Sequence, residues 1–236
     1  MFLLNKGLVF LSIIIQFIGA VLLSFLLLGC IDTSSNYSNV YLYEYQFNST
    51  SSMYEHANAT NSNLQDISVR VGYLGICLNL DSELTCSSYN QLNGTYSISL
   101  LDSDLDLINF AEAFSSICHP RVLASCIALT LIVLLILCYI MIPIKAGKLI
   151  VHKVCLAFSF LNFSLWGLGA MLQHQAVITS VVISEESSLN LIKSSTGGRA
   201  EAMTWTAFSF NLIVFFTLLL ENWKDFKQSQ ATNEKV

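Results

Sequence analysis

Four stretches of this chain are long and apolar enough to cross a lipid bilayer, and everything between them must fold around that fact. Residues 8–28 and 122–142 each run for 21 residues without a charge, and 154–174 and 202–220 repeat the pattern. An α-helix rises about 1.5 Å per residue, so some 20 residues cross the roughly 30 Å hydrocarbon core. In lipid such a segment must satisfy its own backbone hydrogen bonds, which selects helices. Charged residues are 11% of the chain, against roughly 25% in soluble domains. The expected fold is an all-α membrane protein, a four-transmembrane-helix bundle with a small disulfide-stapled extracellular β-sheet. The first stretch exceeds the roughly 7–15 apolar residues of a signal peptide. Leu27-Leu28-Gly29-Cys30 also resembles a bacterial lipoprotein cleavage box, but the length favours a retained helix.

Basic residues in short loops set orientation. Lys6 precedes the first stretch, Lys145, Lys148 and Lys153 lie between the second and third, and Lys224, Lys227 and Lys235 follow the fourth. All fall on one side of a four-span chain. The expected layout is a cytoplasmic N-terminus (1–7), first span (8–28), large extracellular loop (29–121), second span (122–142), cytoplasmic loop (143–153), third span (154–174), second extracellular loop (175–201), fourth span (202–220) and cytoplasmic tail (221–236). The large loop agrees, because it carries four glycosylation sequons, at Asn36, Asn48, Asn58 and Asn93. Sequons belong on surfaces that pass through the secretory pathway.

Within that loop, Tyr41, Tyr43, Tyr45 and Phe47 alternate with other residues, as do Ile67, Val69, Val71 and Tyr73, and again Tyr96, Ile98 and Leu100. Period-two alternation reads as strand. A sheet this small needs a staple. Cys77 and Cys86 stand close in sequence in an oxidising compartment and are expected to form a disulfide. Cys30 and Cys118, at the outer ends of the first two spans, are either a second pair or ordinary buried thiols.

Gly72-Tyr73-Leu74-Gly75-Ile76-Cys77, followed by Cys86, in the first loop of a four-span chain resembles the claudin superfamily. Val69-Arg70-Val71 and Tyr73 make it more similar to one fungal branch, the mating-pheromone-induced regulators of low-affinity calcium influx and cell-membrane fusion. The layout covers the whole chain and the motif only residues 69–86. Carried over position by position, Gly72, Gly75, Cys77 and Cys86 occupy the family's motif positions. The resemblance implies a claudin-like fold and a plasma-membrane role in calcium entry and cell fusion during mating. Arg121 resembles the basic residue that ends the first loop of animal claudins. The loop holds no tryptophan; Trp166, Trp205 and Trp223 lie in or beside the spans. That departure speaks against tight-junction-like strands and leaves the fungal branch untouched.

The two glycines are read as backbone geometry: a bulge, a tight bend or close packing on a neighbouring strand. The loop has ten acidic residues against two basic ones, and Asp102, Asp104 and Asp106 alternate, so a strand there would put three carboxylates on one face. Such a face either attracts calcium weakly or is a solvated edge that blocks aggregation. It is no EF-hand, since Leu107 and Ala113 stand where glycine and glutamate are needed. In the spans, Ser12, Gln16, Ala20 and Ser24 share a face of the first helix. Asn162, Ser164 and Gly167 mark the third, and Ser209 and Asn211 the fourth. Their expected role is helix packing. The four spans hold no Asp, Glu, Lys or Arg, which disfavours a self-contained channel. No catalytic set is found, so an enzyme is not expected. The expected partners are the bilayer and either calcium-channel subunits or further copies of the chain, not nucleic acid, and no cofactor beyond weakly bound calcium. The alternatives to a calcium and fusion regulator are a claudin-like tetraspan for membrane organisation or adhesion, and an auxiliary subunit of a calcium channel.

Overall fold

A computed structural model describes residues 2–48, 68–80, 83–89, 119–142, 148–187 and 192–233. In chain order these form α1 (Phe2–Leu27), α2 (Ser35–Ser38), β1 (Tyr43–Phe47), β2 (Ser68–Val71), β3 (Gly75–Leu80), β4 (Glu83–Ser88), α3 (Pro120–Met141), α4 (Lys148–Ser187), β5 (Ile192–Thr196) and α5 (Gly198–Asn233). Four helices carry stretches long and apolar enough to span a bilayer: Gly7–Leu27, Pro120–Met141, Ile150–Ile183 and Gly198–Lys224. α3 opens on Pro120, whose missing N–H costs nothing in a first turn. The 34-residue stretch of α4 is ~51 Å long, well beyond the hydrocarbon core. It therefore extends past the 154–174 segment, through Gln173, His174 and Gln175 to Ile183, a continuation that the apolar run of the sequence also allows.

The chain divides into two compact units. One comprises Met1–Leu23, Val122–Ala170 and Trp205–Val236. Its helices bury residues at steps of three and four. α1 buries Val9, Ser12, Gln16, Gly19 and Leu23; α3 buries Leu123, Cys126, Thr130, Val133, Leu137 and Ile140. α4 buries Cys155, Ser159, Asn162, Trp166 and Ala170; α5 buries Ala207, Asn211, Val214, Leu218 and Glu221. A seam repeating every 3.5 residues stays on one side of helices that coil left-handedly. Away from the seam, large apolar side chains such as Phe10, Phe17, Leu135, Leu168 and Phe216 are exposed, as lipid-facing surfaces require. Val9, Val133, Leu137, Ile140, Cys155, Val214 and Leu218 form one apolar core. Phe163 stacks on Phe208 and Phe215, joining α4 to α5.

The other unit comprises Ser24–Arg121 and Met171–Thr204. Its centre is a five-stranded antiparallel sheet in the order β4-β3-β2-β1-β5. Cross-strand partners share a face, so the register sorts the side chains. On one face Tyr43 opposes Val71, Tyr45 opposes Val69, and Ile76 and Leu78 continue across β3. All six are buried, as is Ile192 on β5. Tyr43 and Tyr45 meet edge to face at 4.6 Å between ring centroids. The opposite face is polar and is described below. β1 and β2 arise where the alternating aromatic and β-branched residues predict strands. β5, drawn from the second loop, is an addition: the sequence reading places no strand in 175–201. The strand expected around Tyr96, Ile98 and Leu100 lies outside the described residues.

Candidate functional site

β2 and β3 are joined by a tight turn, in which the Gly72 N–H donates to the Gly75 carbonyl at 2.9 Å. Tyr73 and Leu74 form the tip, and the Tyr89 hydroxyl donates to the Gly72 carbonyl at 2.8 Å. The glycines matter for what lies against them. A Cβ on Gly72 would strike the Gly29 carbonyl oxygen and come within 3.0 Å of the Cys30 Cβ. A Cβ on Gly75 would strike the Cys30 carbonyl oxygen and lie 3.1 Å from that of Ser87. Both glycines therefore pack closely against the turn that ends α1, and Gly75 also against β4.

That turn is itself constrained. Cys30 has φ = 60°, the left-handed region, which costs a non-glycine residue on the order of 1–3 kcal/mol. Its N–H donates to the Tyr37 carbonyl at 3.0 Å and its thiol to the Val40 carbonyl at 3.7 Å. Burial pushes the thiol pKa up to about 12, with the Arg70 charge pulling it back. Cys30 is a free, buried thiol. The Sγ is enclosed in the turn beside Val40, and Cys118 lies outside the described residues.

The polar face of the sheet carries one row across all five strands: Ser195, Glu44, Arg70, Cys77 and Cys86. Cys77 and Cys86 are direct cross-strand partners, 4.0 Å apart at Cα, and are joined by a disulfide. Next in the row, the Arg70 guanidinium donates from Nε to Glu44 Oε1 at 2.8 Å. Arg70 also lies over the Tyr41 ring at 5.1 Å, a cation–π contact. The Tyr41 hydroxyl is shifted upward by burial first and then by the Glu44 charge. Glu44 is buried, and Arg70 offsets the cost of taking it out of water. The sequence shows Arg70 as part of the family resemblance and does not pair it. The available signal was a lone acid inside an aromatic strand.

The tip residue Tyr73 is buried and donates its hydroxyl to Gln173 Oε1 at 2.8 Å. Gln173 Nε2 donates to Thr204 Oγ1 at 3.0 Å, and Thr204 also bonds the Ala200 carbonyl in its own helix. The motif hairpin is thereby tied to α4 and α5. His174 Nδ1 faces Glu201 Oε1 at 3.4 Å on the neighbouring turn. On α2, Asn36 is exposed, as a glycan acceptor needs, and Asn48 follows β1 half-buried. Asn58, Asn93, Asp102, Asp104 and Asp106 lie outside the described residues.

A second polar cluster, in the helical unit, draws one side chain from each of its four helices. Gln16 Nε2 and Asn162 Nδ2 both donate to Asn211 Oδ1, at 3.3 and 3.1 Å. Asn162 Nδ2 also reaches Thr130 Oγ1 at 3.0 Å, and the Thr130 hydroxyl donates to the Cys126 carbonyl at 2.7 Å. Gln16, Asn162 and Asn211 carry the packing role expected of them, while Ser209 is exposed and bonds only its own helix. Thr130 was missed, since a threonine in an apolar helix carries no distinguishing pattern.

Residues 53–223 match the protein family described as Ca2+ regulator and membrane fusion protein Fig1. The chain is also 29% identical to the Factor-induced gene 1 protein of Saccharomyces cerevisiae, over 89% of this chain and 83% of that protein. The family description is that of a regulator and fusion protein, not of an enzyme.

Proposed function

The chain belongs to the family of Ca2+ regulator and membrane fusion protein Fig1, and from that premise we propose that it regulates calcium influx and cell-membrane fusion during mating, as a multi-pass protein of the plasma membrane. The observation that carries this reading is a family match running from the first loop to the fourth membrane-length helix, so that it takes in the stapled hairpin, β2 and β5, and three of the four membrane-length helices. In this reading the sequon-bearing loop faces outward and both termini lie in the cytoplasm, supported by the distribution of lysines. The helix order and the stapled antiparallel sheet support a claudin-like fold.

The protein acts on a partner channel or on its own copies rather than as the conducting pore. The supporting observation is the middle of the bundle, where neutral amides and a threonine hydroxyl bond to one another across the seam. Ion pathways more often present ionisable groups. Weak calcium attraction belongs to the acidic loop, including Asp102, Asp104 and Asp106.

The test is calcium imaging and cell-fusion scoring in cells lacking the gene, with and without mating signal, followed by restoration with the full chain. Loss of signal-dependent influx and of fusion, both restored by the chain, is expected. Unchanged influx with intact fusion overturns the proposal. Calcium flux through the purified protein alone in liposomes overturns the regulator reading in favour of a channel.

A further inference from the structure

The cluster of Gln16, Thr130, Asn162 and Asn211 stands near the middle of its helices. The membrane-length stretches Gly7–Leu27, Pro120–Met141 and Gly198–Lys224 have their midpoints within one residue of Gln16, Thr130 and Asn211. All four side chains are 3% exposed or less. Bulk water is absent at this depth, and a buried amide atom left unbonded costs about 1–3 kcal/mol. Yet Gln16 Oε1, Asn162 Oδ1 and Asn211 Nδ2 are enclosed and have no hydrogen-bond partner among the described residues.

Each of these atoms is separated by the width of one amide group from an atom bonded at the cluster's centre. Gln16 Nε2 and Asn162 Nδ2 meet at Asn211 Oδ1, so the unbonded atoms belong to three amides that already converge. Their chemistry is complementary as a set, two acceptors and one donor. We infer that this mid-membrane cluster binds a single water molecule, which donates to Gln16 Oε1 and Asn162 Oδ1 and accepts from Asn211 Nδ2. A buried water typically makes about three such bonds.

Thr130 fixes which way the amides face. The Thr130 hydroxyl donates to the Cys126 carbonyl, so Thr130 presents lone pairs to Asn162 and selects its NH2 group. That NH2 group in turn selects the oxygen of Asn211, and the Asn211 oxygen the NH2 group of Gln16. A cation does not fit the set, because an Asn211 N–H group points at it. Water therefore joins α1, α4 and α5, with α3 attached through Thr130, in a region where apolar contact alone gives helices little preference for one register.

The test uses the full chain in lipid nanodiscs with 15N in the side-chain amides of Asn and Gln, assigned with the variants Gln16→Leu and Asn211→Leu. Cross-relaxation to water is expected for the Asn211 amide. No water contact at any of the three amides overturns the proposal. A shift of these amide signals on exchanging sodium or calcium for a large organic cation also overturns it, since that outcome marks a bound ion. Should the variants fail to fold, a structure of the wild-type chain decides. It must show a density peak within about 2.6–3.2 Å of all three amides; its absence refutes the site.

Discussion

Replacing Gly75 with alanine adds one methyl group where two main-chain segments already converge. The new carbon meets the carbonyl carbon of Cys30 at 2.9 Å, the Ser87 carbonyl oxygen at 3.1 Å, and overlaps the Cys30 carbonyl oxygen. Ordinary carbon contacts lie near 3.5–4.0 Å, so the segments must part by roughly 0.6 Å or more. Neither yields cheaply. Cys30 is held by Tyr37 and Val40, and Ser87 is paired into β4 opposite Ile76. Overpacking of this kind costs about 1–3 kcal/mol. Alanine recovers about 0.4–1 kcal/mol by restricting the unfolded chain. The net loss of about 1–2 kcal/mol is a factor of roughly 5–30 in the folded-to-unfolded ratio, or a fall of about 2–8 °C in Tm for a chain of this size. The assay is thermal unfolding of the purified full chain, paired with surface biotinylation in expressing cells. Gly198→Ala is the control, because nothing lies within 4 Å of a Cβ there; it is expected to melt at or slightly above the wild type. If Gly75→Ala melts with the wild type and reaches the surface at normal abundance, close approach to the α1 turn is not why glycine stands at 75.

Cys77→Ser with Cys86→Ser opens a ring of sequence separation 9, and chain entropy assigns that ring about 2.6 kcal/mol. Denaturant unfolding should register a loss of this order, whereas an unchanged midpoint would mean that the strand register alone holds the hairpin. Arg70→Met strands the buried Glu44 carboxylate and should cost about 3–5 kcal/mol, nearer the lower figure because Arg70 is partly exposed. Adding Glu44→Gln should restore part of that loss, and a strictly additive double variant would refute the pairing. Cys30, with its pKa raised to about 12, is ~10⁻⁴ thiolate at pH 8 in the native protein. Maleimide labelling of Cys30, read by mass spectrometry, should be slow in the native chain and rapid after denaturation. Because the folded pKa lies above the unfolded one, this thiol supports the fold at neutral pH and loses that effect as pH rises from about 9 toward 12.

The helices were legible because apolar length overrides every other local signal in a membrane. β1 and β2 were legible because Tyr43 and Tyr45, and Val69 and Val71, fall at strand spacing on the face the sheet buries. β5 was not. Lys193, Ser194, Ser195 and Thr196 show no apolar alternation, and this segment becomes a strand because β1 offers it an open row of backbone donors and acceptors. For the two glycines the sequence leaves a bulge, a tight bend and close packing on a strand open, and it does not name the segment they approach. The neighbour is Gly29–Cys30, more than 40 residues earlier in the chain, a distance that local spacing does not encode. The amides of Gln16, Asn162 and Asn211 could each be placed on a helix face; that they meet at one oxygen is a property of helix packing. The Tyr73 hydroxyl falls in the same class, since its acceptor, Gln173, is 100 residues away.

The pairing of β1 with β5 also sets a schedule for biosynthesis. Tyr43 opposes Thr196, 153 residues later, and at 5–20 residues per second the ribosome needs about 8–30 s to cover that interval. Until then one edge of β1, with Tyr43 and Tyr45 beside it, has no strand to cover it. Any nascent chain stalled before α5 keeps that adhesive edge uncovered. A chaperone that recognises uncovered strands can thus distinguish a finished molecule from an unfinished one by whether its last loop has arrived.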